Sequence, residues 1–209
     1  MDVSLQEKQV RRAYALFSPV YDLLFDKIFY PGRVEAIKHL GIQPNDRILE
    51  VGIGTGLNLA LYPRHCHLTG IDLSVEMLRR AQEKVVEYGM ENVVLKVMDA
   101  SAMTFADNEF DRVLATYVIS AVPTPVAVLR EMKRVCRLDG TIVILNHFKS
   151  QKKVIGAVED ALAPLCTRLG FKTNLSLEPL LRTVDLIPEV NVRVNLLNGW
   201  RLVKCINRK

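Results

Sequence analysis

Cysteine is scarce in this chain, and the four present, Cys66, Cys136, Cys166 and Cys205, are scattered with no CxxC pair among them. That spacing builds neither a zinc cluster nor a disulfide framework, so reduced thiols are expected. Histidine is equally thin: His39, His65 and His67 lack metal-like spacing with any cysteine or carboxylate pair, and no metal is expected. Long apolar runs are missing as well. The stretch Val113 to Val128 carries two prolines and is too short and too broken to span a bilayer. Met1 to Arg12 is polar, with charges of both signs, and does not read as a signal peptide, so a cytoplasmic location is expected. There is no internal repeat and no low-complexity linker. With 49% hydrophobic and 24% charged residues, neither disorder nor a coiled coil is indicated.

What is present begins at residues 47–56, Arg47-Ile48-Leu49-Glu50-Val51-Gly52-Ile53-Gly54-Thr55-Gly56. Ile48, Leu49 and Val51 suit a buried parallel strand, and Gly52, Gly54 and Gly56 allow positive φ and let a ligand lie against bare backbone. A helix is expected from Leu57 to about Leu61. A dinucleotide fingerprint would place its third glycine at position 57, whereas here it falls at Gly56, which points away from NAD. Twenty residues after Gly52 a second apolar strand, His67-Leu68-Thr69-Gly70-Ile71-Asp72, ends in an acid placed to accept hydrogen bonds from ribose hydroxyls.

The run Leu49 to Gly56, followed by Gly70-Ile71-Asp72-Leu73-Ser74 and Met77-Leu78, resembles the class I S-adenosylmethionine-dependent methyltransferases. With Leu61-Tyr62-Pro63, and with Tyr21-Asp22 and Gly32-Arg33 upstream, it is similar to bacterial phosphatidylethanolamine N-methyltransferases. The resemblance implies S-adenosyl-L-methionine as cofactor. It also implies a cofactor site drawn from Glu50, Gly52, Gly54, Gly56, Asp72, Leu73, Met77, Asp99, Ala100 and Thr116, with Asp72 on the ribose and Asp99 near the adenine amine. A turn or helix cap is the structural alternative for Asp99.

The rest of the chain fits an α/β reading, a Rossmann-like doubly wound sheet, mostly parallel, with an antiparallel edge hairpin and N-terminal lid helices. One domain is expected, divided into a helical lid (1–34), a cofactor-binding core (35–150) and a C-terminal substrate and edge-strand region (151–209). In the lid, Ser4 and Glu7 form a capping-box pattern. Val10, Ala13, Tyr14 and Phe17 then recur at helical spacing opposite Lys8, Arg11 and Arg12. This helix is either a cover for the core or a basic amphipathic contact with an anionic membrane surface. Pro31-Gly32 is expected to separate the helix from Val20 to Phe29 from another spanning Arg33 to Leu40. A helix over 74–88 is capped by Ser74, with Met77, Leu78, Ala81 and Val85 facing the sheet. Further strands are expected at Val93–Met98, Phe110–Thr116 and Thr141–Asn146, and helices at Pro125–Cys136, Val154–Leu169 and Glu178–Val184. Val190–Val194 is expected to pair with Trp200–Ile206.

Methyl transfer from a sulfonium mainly requires alignment and desolvation. An ethanolamine headgroup is an ammonium at neutral pH and has no lone pair until a proton leaves, so a base or an apolar pocket is needed. Tyr21, in the lid, and His147, after the fifth strand, are the candidates for that proton transfer. The leading expectation is therefore a phospholipid N-methyltransferase, peripheral to the membrane. The net charge of +5 agrees with an anionic partner. The alternative is a quinone-biosynthesis C-methyltransferase or another small-molecule methyltransferase. An RNA-binding methyltransferase is more distant, because the basic residues are dispersed and Thr116-Tyr117-Val118-Ile119 lacks an Asn/Asp-Pro-Pro-Tyr motif. No nucleic acid is expected as partner.

Overall fold

The computed structural model describes residues 29–149, 175–195 and 199–209. Five strands run parallel: β1 Arg47–Val51, β2 His67–Asp72, β3 Val93–Val97, β4 Phe110–Thr116 and β5 Cys136–His147. Two more, β6 Pro188–Val194 and β7 Trp200–Ile206, form the expected hairpin, and β7 docks antiparallel on β5. The seven-stranded order is β3-β2-β1-β4-β5-β7-β6. The strand order reverses between the parallel neighbours β1 and β4, the switch point where open α/β sheets hold ligands outside the carboxyl ends of their strands.

The burial of β1 explains why it is central. Ile48, Leu49 and Val51 are all fully buried, Ile48 on one face of the sheet and Leu49 and Val51 on the other. Each such side chain contributes about 1.5–3 kcal/mol of transfer free energy. The first face is covered by the helix over 29–40, here α1, through Ala36 and Leu40, and by α2 Val75–Glu87, through Leu78, Ala81 and Val85. On the second face α3 Pro125–Val135 contributes Val128, Leu129 and Met132, and α4 Leu177–Thr183 contributes Leu177, Leu180 and Leu181. Ser74 caps α2 by accepting from the Met77 N–H, as its position before the apolar stripe indicates.

Three expectations need correction. Pro31-Gly32 does not separate two helices, since α1 is helical from 29 to 40. The Gly32 N–H donates to Asn195 Oδ1 at 2.8 Å, and a Cβ at Gly32 would come within 2.4 Å of that oxygen, so this glycine serves close approach. Leu57 to Leu61 is a run of turns ending in a 3-10 turn over Leu59–Leu61, because the Asn58 and Tyr62 side chains on either side are drawn inward. The fifth strand starts at Cys136, not Thr141: Cys136 already pairs with Phe110, and the register then slips, with Asp139 at φ +56°, before Thr141 pairs with Arg112. The expected helices over 4–17 and 154–169 lie outside the described residues, as does the one over 20–29 except for Phe29.

Candidate cofactor and acceptor site

All three loop glycines have positive φ, but they answer different constraints. A Cβ on Gly52 would lie 2.5 Å from Val118, and one on Gly56 would lie 2.5 Å from Leu59. Gly54 has nothing within 4 Å of that position. Two glycines therefore serve packing, and the middle one fronts open space beside bare backbone.

Asp72 braces this loop. Its Oδ2 accepts from the Gly54 N–H at 3.0 Å and its Oδ1 from the Ser74 N–H at 2.8 Å, joining the loop to the start of α2. Burial pushes its carboxyl up, and those N–H donors oppose the shift. Each oxygen retains a lone pair for a further donor. Leu73 beside it is 43% exposed and Met77 is buried.

Glu50 lies behind the loop and is 1% exposed. Its Oε1 accepts from Asn58 Nδ2 at 2.6 Å, its Oε2 from the Tyr62 hydroxyl at 2.9 Å. Asn58 Nδ2 also donates to Thr116 Oγ1 at 3.1 Å. Burial raises the Glu50 carboxyl from its ordinary 4.5 to about 7; Asn58, Tyr62 and the nearby Arg33 favour the ionised form and oppose that rise. Burial and the adjacent Glu50 likewise raise the Tyr62 hydroxyl, which stays protonated and donates. Glu50 and Thr116 thus meet through Asn58, a residue the sequence reading did not single out. Asn58 Oδ1 is buried without a hydrogen-bond partner, an acceptor left open beside the loop.

Asp99 and Ala100 follow β3. Asp99 is exposed, and its Oδ1 accepts from the Ser101 N–H at 2.7 Å and hydroxyl at 2.8 Å, which is the turn-cap arrangement. That use leaves Oδ2 for another contact.

At the ends of β4 and β5 the site becomes aromatic. Tyr117 has φ +61°, sparsely populated for a non-glycine residue, and such strain collects at functional sites. Its hydroxyl donates to the Phe29 carbonyl at 3.1 Å and accepts from Asn195 Nδ2 at 2.9 Å. Phe29 packs against Tyr117 and Trp200 with centroids 4.9 and 4.8 Å away. His147 meets Trp200 edge-on at 6.1 Å, its cross-strand neighbour. His147 therefore sits where expected, at the carboxyl end of β5. Its proposed partner Tyr21 lies outside the described residues. Phe29, Asn195 and Trp200 were not legible as site residues, because nothing local marks them. Only the sheet order brings them together.

Cys66, Cys136 and Cys205 are free and buried, and burial holds the Cys136 and Cys205 thiols up at about 12. Among the described residues no three His, Cys, Asp or Glu side chains form a metal-binding group. Among them, too, no helix is long and apolar enough to cross a membrane.

The doubly wound sheet, glycine loop and acid after β2 define a class. Residues 49–144 match the family model described as a methyltransferase domain. The chain belongs to the class I S-adenosylmethionine-dependent methyltransferases. It is 43% identical over 185 residues to a phosphatidylethanolamine N-methyltransferase of Cereibacter sphaeroides, covering 86% of this chain and 90% of the relative. A demethylmenaquinone methyltransferase of Listeria monocytogenes is 31% identical over 68% of this chain and 63% of its own length. A solved S-adenosylmethionine-dependent methyltransferase from Aquifex aeolicus superposes with TM-score 0.67 at 18% identity, covering 94% of this chain and 97% of that one, a likeness that speaks to the fold.

S-adenosyl-L-methionine is the cofactor. The open space at Gly54, the spare lone pairs of Asp72 and the unpartnered Asn58 Oδ1 fit a ligand that carries hydroxyl and ammonium donors. Two acids at the loop, Glu50 and Asp72, also suit its cationic charge.

Proposed function

We propose that this enzyme methylates the amine of phosphatidylethanolamine, toward phosphatidylcholine, at a membrane surface. The observation that carries the reading is the 43% identity over nearly the whole length of the Cereibacter sphaeroides relative. Tyr62, within the Leu61-Tyr62-Pro63 stretch, adds a structural reason, since its hydroxyl holds the buried Glu50 behind the glycine loop. The demethylmenaquinone relatives support the quinone alternative more weakly, at lower identity and shorter coverage.

The cofactor supplies a methyl carbon activated by a sulfonium leaving group. In this account Asp72 holds the ribose hydroxyls, Asp99 Oδ2 and Ala100 lie toward the adenine, Leu73 and Met77 line the apolar side, and Gly54 admits the ligand to the loop backbone. Glu50 and Thr116 act from behind the loop through Asn58. The acceptor amine must lose its proton before its lone pair can bond to the methyl carbon. His147 accepts that proton, relayed through Tyr21. The aromatic group of Phe29, Tyr117 and Trp200 keeps water from the acceptor and offers ring faces to the increasingly methylated cation. Residues 1–17 provide the basic amphipathic contact with anionic lipid, which makes the enzyme a peripheral membrane protein on the cytoplasmic side.

A head-to-head assay of purified protein tests this reading, with phosphatidylethanolamine and reduced demethylmenaquinone offered in the same detergent micelles. The lipid should be methylated at least tenfold more efficiently. Preferential methylation of the quinone would overturn the proposal.

A further inference from the structure

Three segments far apart in the chain are tied together at the acceptor end of the sheet by one amide. Asn195 directly follows β6 and has φ +63°, a left-handed conformation that asparagine adopts more readily than most residues. Its Oδ1 accepts from the Gly32 N–H at 2.8 Å, and its Nδ2 donates to the Tyr117 hydroxyl at 2.9 Å. That hydroxyl donates in turn to the Phe29 carbonyl at 3.1 Å, so both ends of the amide lead to the first described turn of α1. The circuit is closed. It needs an acceptor and a donor on one short side chain, which a neutral amide supplies and a carboxylate does not. It also needs glycine at position 32, where a Cβ would collide with the same amide.

Tyr117 connects this circuit to the reaction. A strained φ persists only where the surroundings over-determine it, and here the Tyr117 N–H donates to the Leu145 carbonyl at 2.6 Å while the hydroxyl is held by Asn195 and Phe29. The residue is fixed at both ends. Tyr117, Val194 and Trp200 pack with Ala36 and Leu40 of α1 on one face of the sheet, so the amide and the aromatic group share that face. The Phe29 ring touches both the Tyr117 and Trp200 rings, and Trp200 meets His147 across the strands. Holding Tyr117 and Phe29 at a set spacing therefore sets the spacing of the whole aromatic group.

We propose that Asn195 is a positioning residue for methyl transfer, clamping Tyr117 to the start of α1 so that the aromatic group holds the acceptor in line with the cofactor. This rests on the reading of that group as the acceptor site. The test uses the full chain and three variants. Asn195→Gly keeps the left-handed backbone and removes the amide, Gly32→Ala improves helix propensity while driving the amide away, and Tyr117→Phe removes only the hydroxyl. Each should lower kcat on monomeric dihexanoyl phosphatidylethanolamine about tenfold, the scale on which small misplacements act. Cofactor affinity should stay within twofold, since the buried Ala36 and Leu40 hold the rest of α1 in the core. Trp200 is the one tryptophan in the chain, so its emission reports on the aromatic group, and all three variants should shift it in the same direction. Combining Asn195→Gly with Tyr117→Phe should slow turnover no more than either alone, because both break one circuit. Folded single variants with parental kcat would overturn the clamp, and so would losses that multiply in the double variant. Should Asn195→Gly fold poorly, Asn195→Asp carries the same test, keeping the acceptor for Gly32 and losing the donor to Tyr117. A parent that methylates reduced demethylmenaquinone and no ethanolamine lipid, with the three variants about tenfold slower on the quinone, would overturn the lipid reading and leave the clamp standing.

Discussion

Replacing Glu50 by glutamine tests the account of the glycine loop through pH. The native carboxyl is moved from 4.5 to about 7 by burial, so between these values the folded state binds a proton that the unfolded chain has released. Folding stability at this site is therefore full at low pH and is lost as pH rises through the window. Integrated from pH 4.5 to 8, the loss is about 3 kcal/mol. Glutamine has the same shape and no charge, and its amide can meet Tyr62 and Asn58 once the Asn58 amide turns, so the variant should lack this slope. Urea unfolding of both proteins without cofactor, at pH 4.5, 6, 7 and 8, reads the difference directly. The wild type should lose about 3 kcal/mol relative to Glu50→Gln across the series, most of it by pH 7. A stability difference that stays constant with pH would refute the buried, proton-holding Glu50.

The same titration affects ligand binding, because a cation at the loop favours ionised Glu50. S-adenosylmethionine affinity should rise with pH from 6 to 8 in the wild type and stay flat in Glu50→Gln, as calorimetry would record. Asp72→Ala removes charge-assisted hydrogen bonds worth about 1.5–3 kcal/mol each, and binding should weaken more than tenfold. A folded variant within twofold of the parent would remove Asp72 from the ribose. Gly54→Val should abolish cofactor binding by filling the open approach, whereas Gly52→Ala should chiefly lower the melting temperature by pressing on Val118. His147→Ala and Tyr21→Phe should reduce turnover far more than cofactor affinity, and undiminished turnover would rule out the relay. Replacing Lys8, Arg11 and Arg12 by glutamine should remove most flotation with phosphatidylglycerol vesicles at low salt, about a hundredfold in affinity at roughly 1 kcal/mol per cation.

Much of the framework was legible because local rules and packing agree. His67–Asp72 and Phe110–Thr116 are strands to the residue, and Met77, Leu78, Ala81 and Val85 are the buried face of α2, since alternation and helical period were unopposed. The misses arose where tertiary contacts overrode local preference. Leu57 to Leu61 had helix formers but turns sharply because Asn58 and Tyr62 reach Glu50. Pro31-Gly32 looked like a break, yet Gly32 is needed for contact with Asn195, 163 positions away. The glycine loop and Asp72 could be read because their spacing is contiguous. The cluster of Phe29, Tyr117, Asn195 and Trp200 could not, because β7 enters the sheet between β5 and β6 and only that order joins them.

Incubation of pure protein with methyl-labelled S-adenosylmethionine and vesicles of phosphatidylethanolamine and phosphatidylglycerol, followed by lipid chromatography, tests the central claim most directly. The account predicts label in N-methylated ethanolamine lipid, appearing only when phosphatidylethanolamine is present and disappearing in the Asp72→Ala enzyme. A fully folded, cofactor-binding protein that leaves every ethanolamine lipid unlabelled would contradict it.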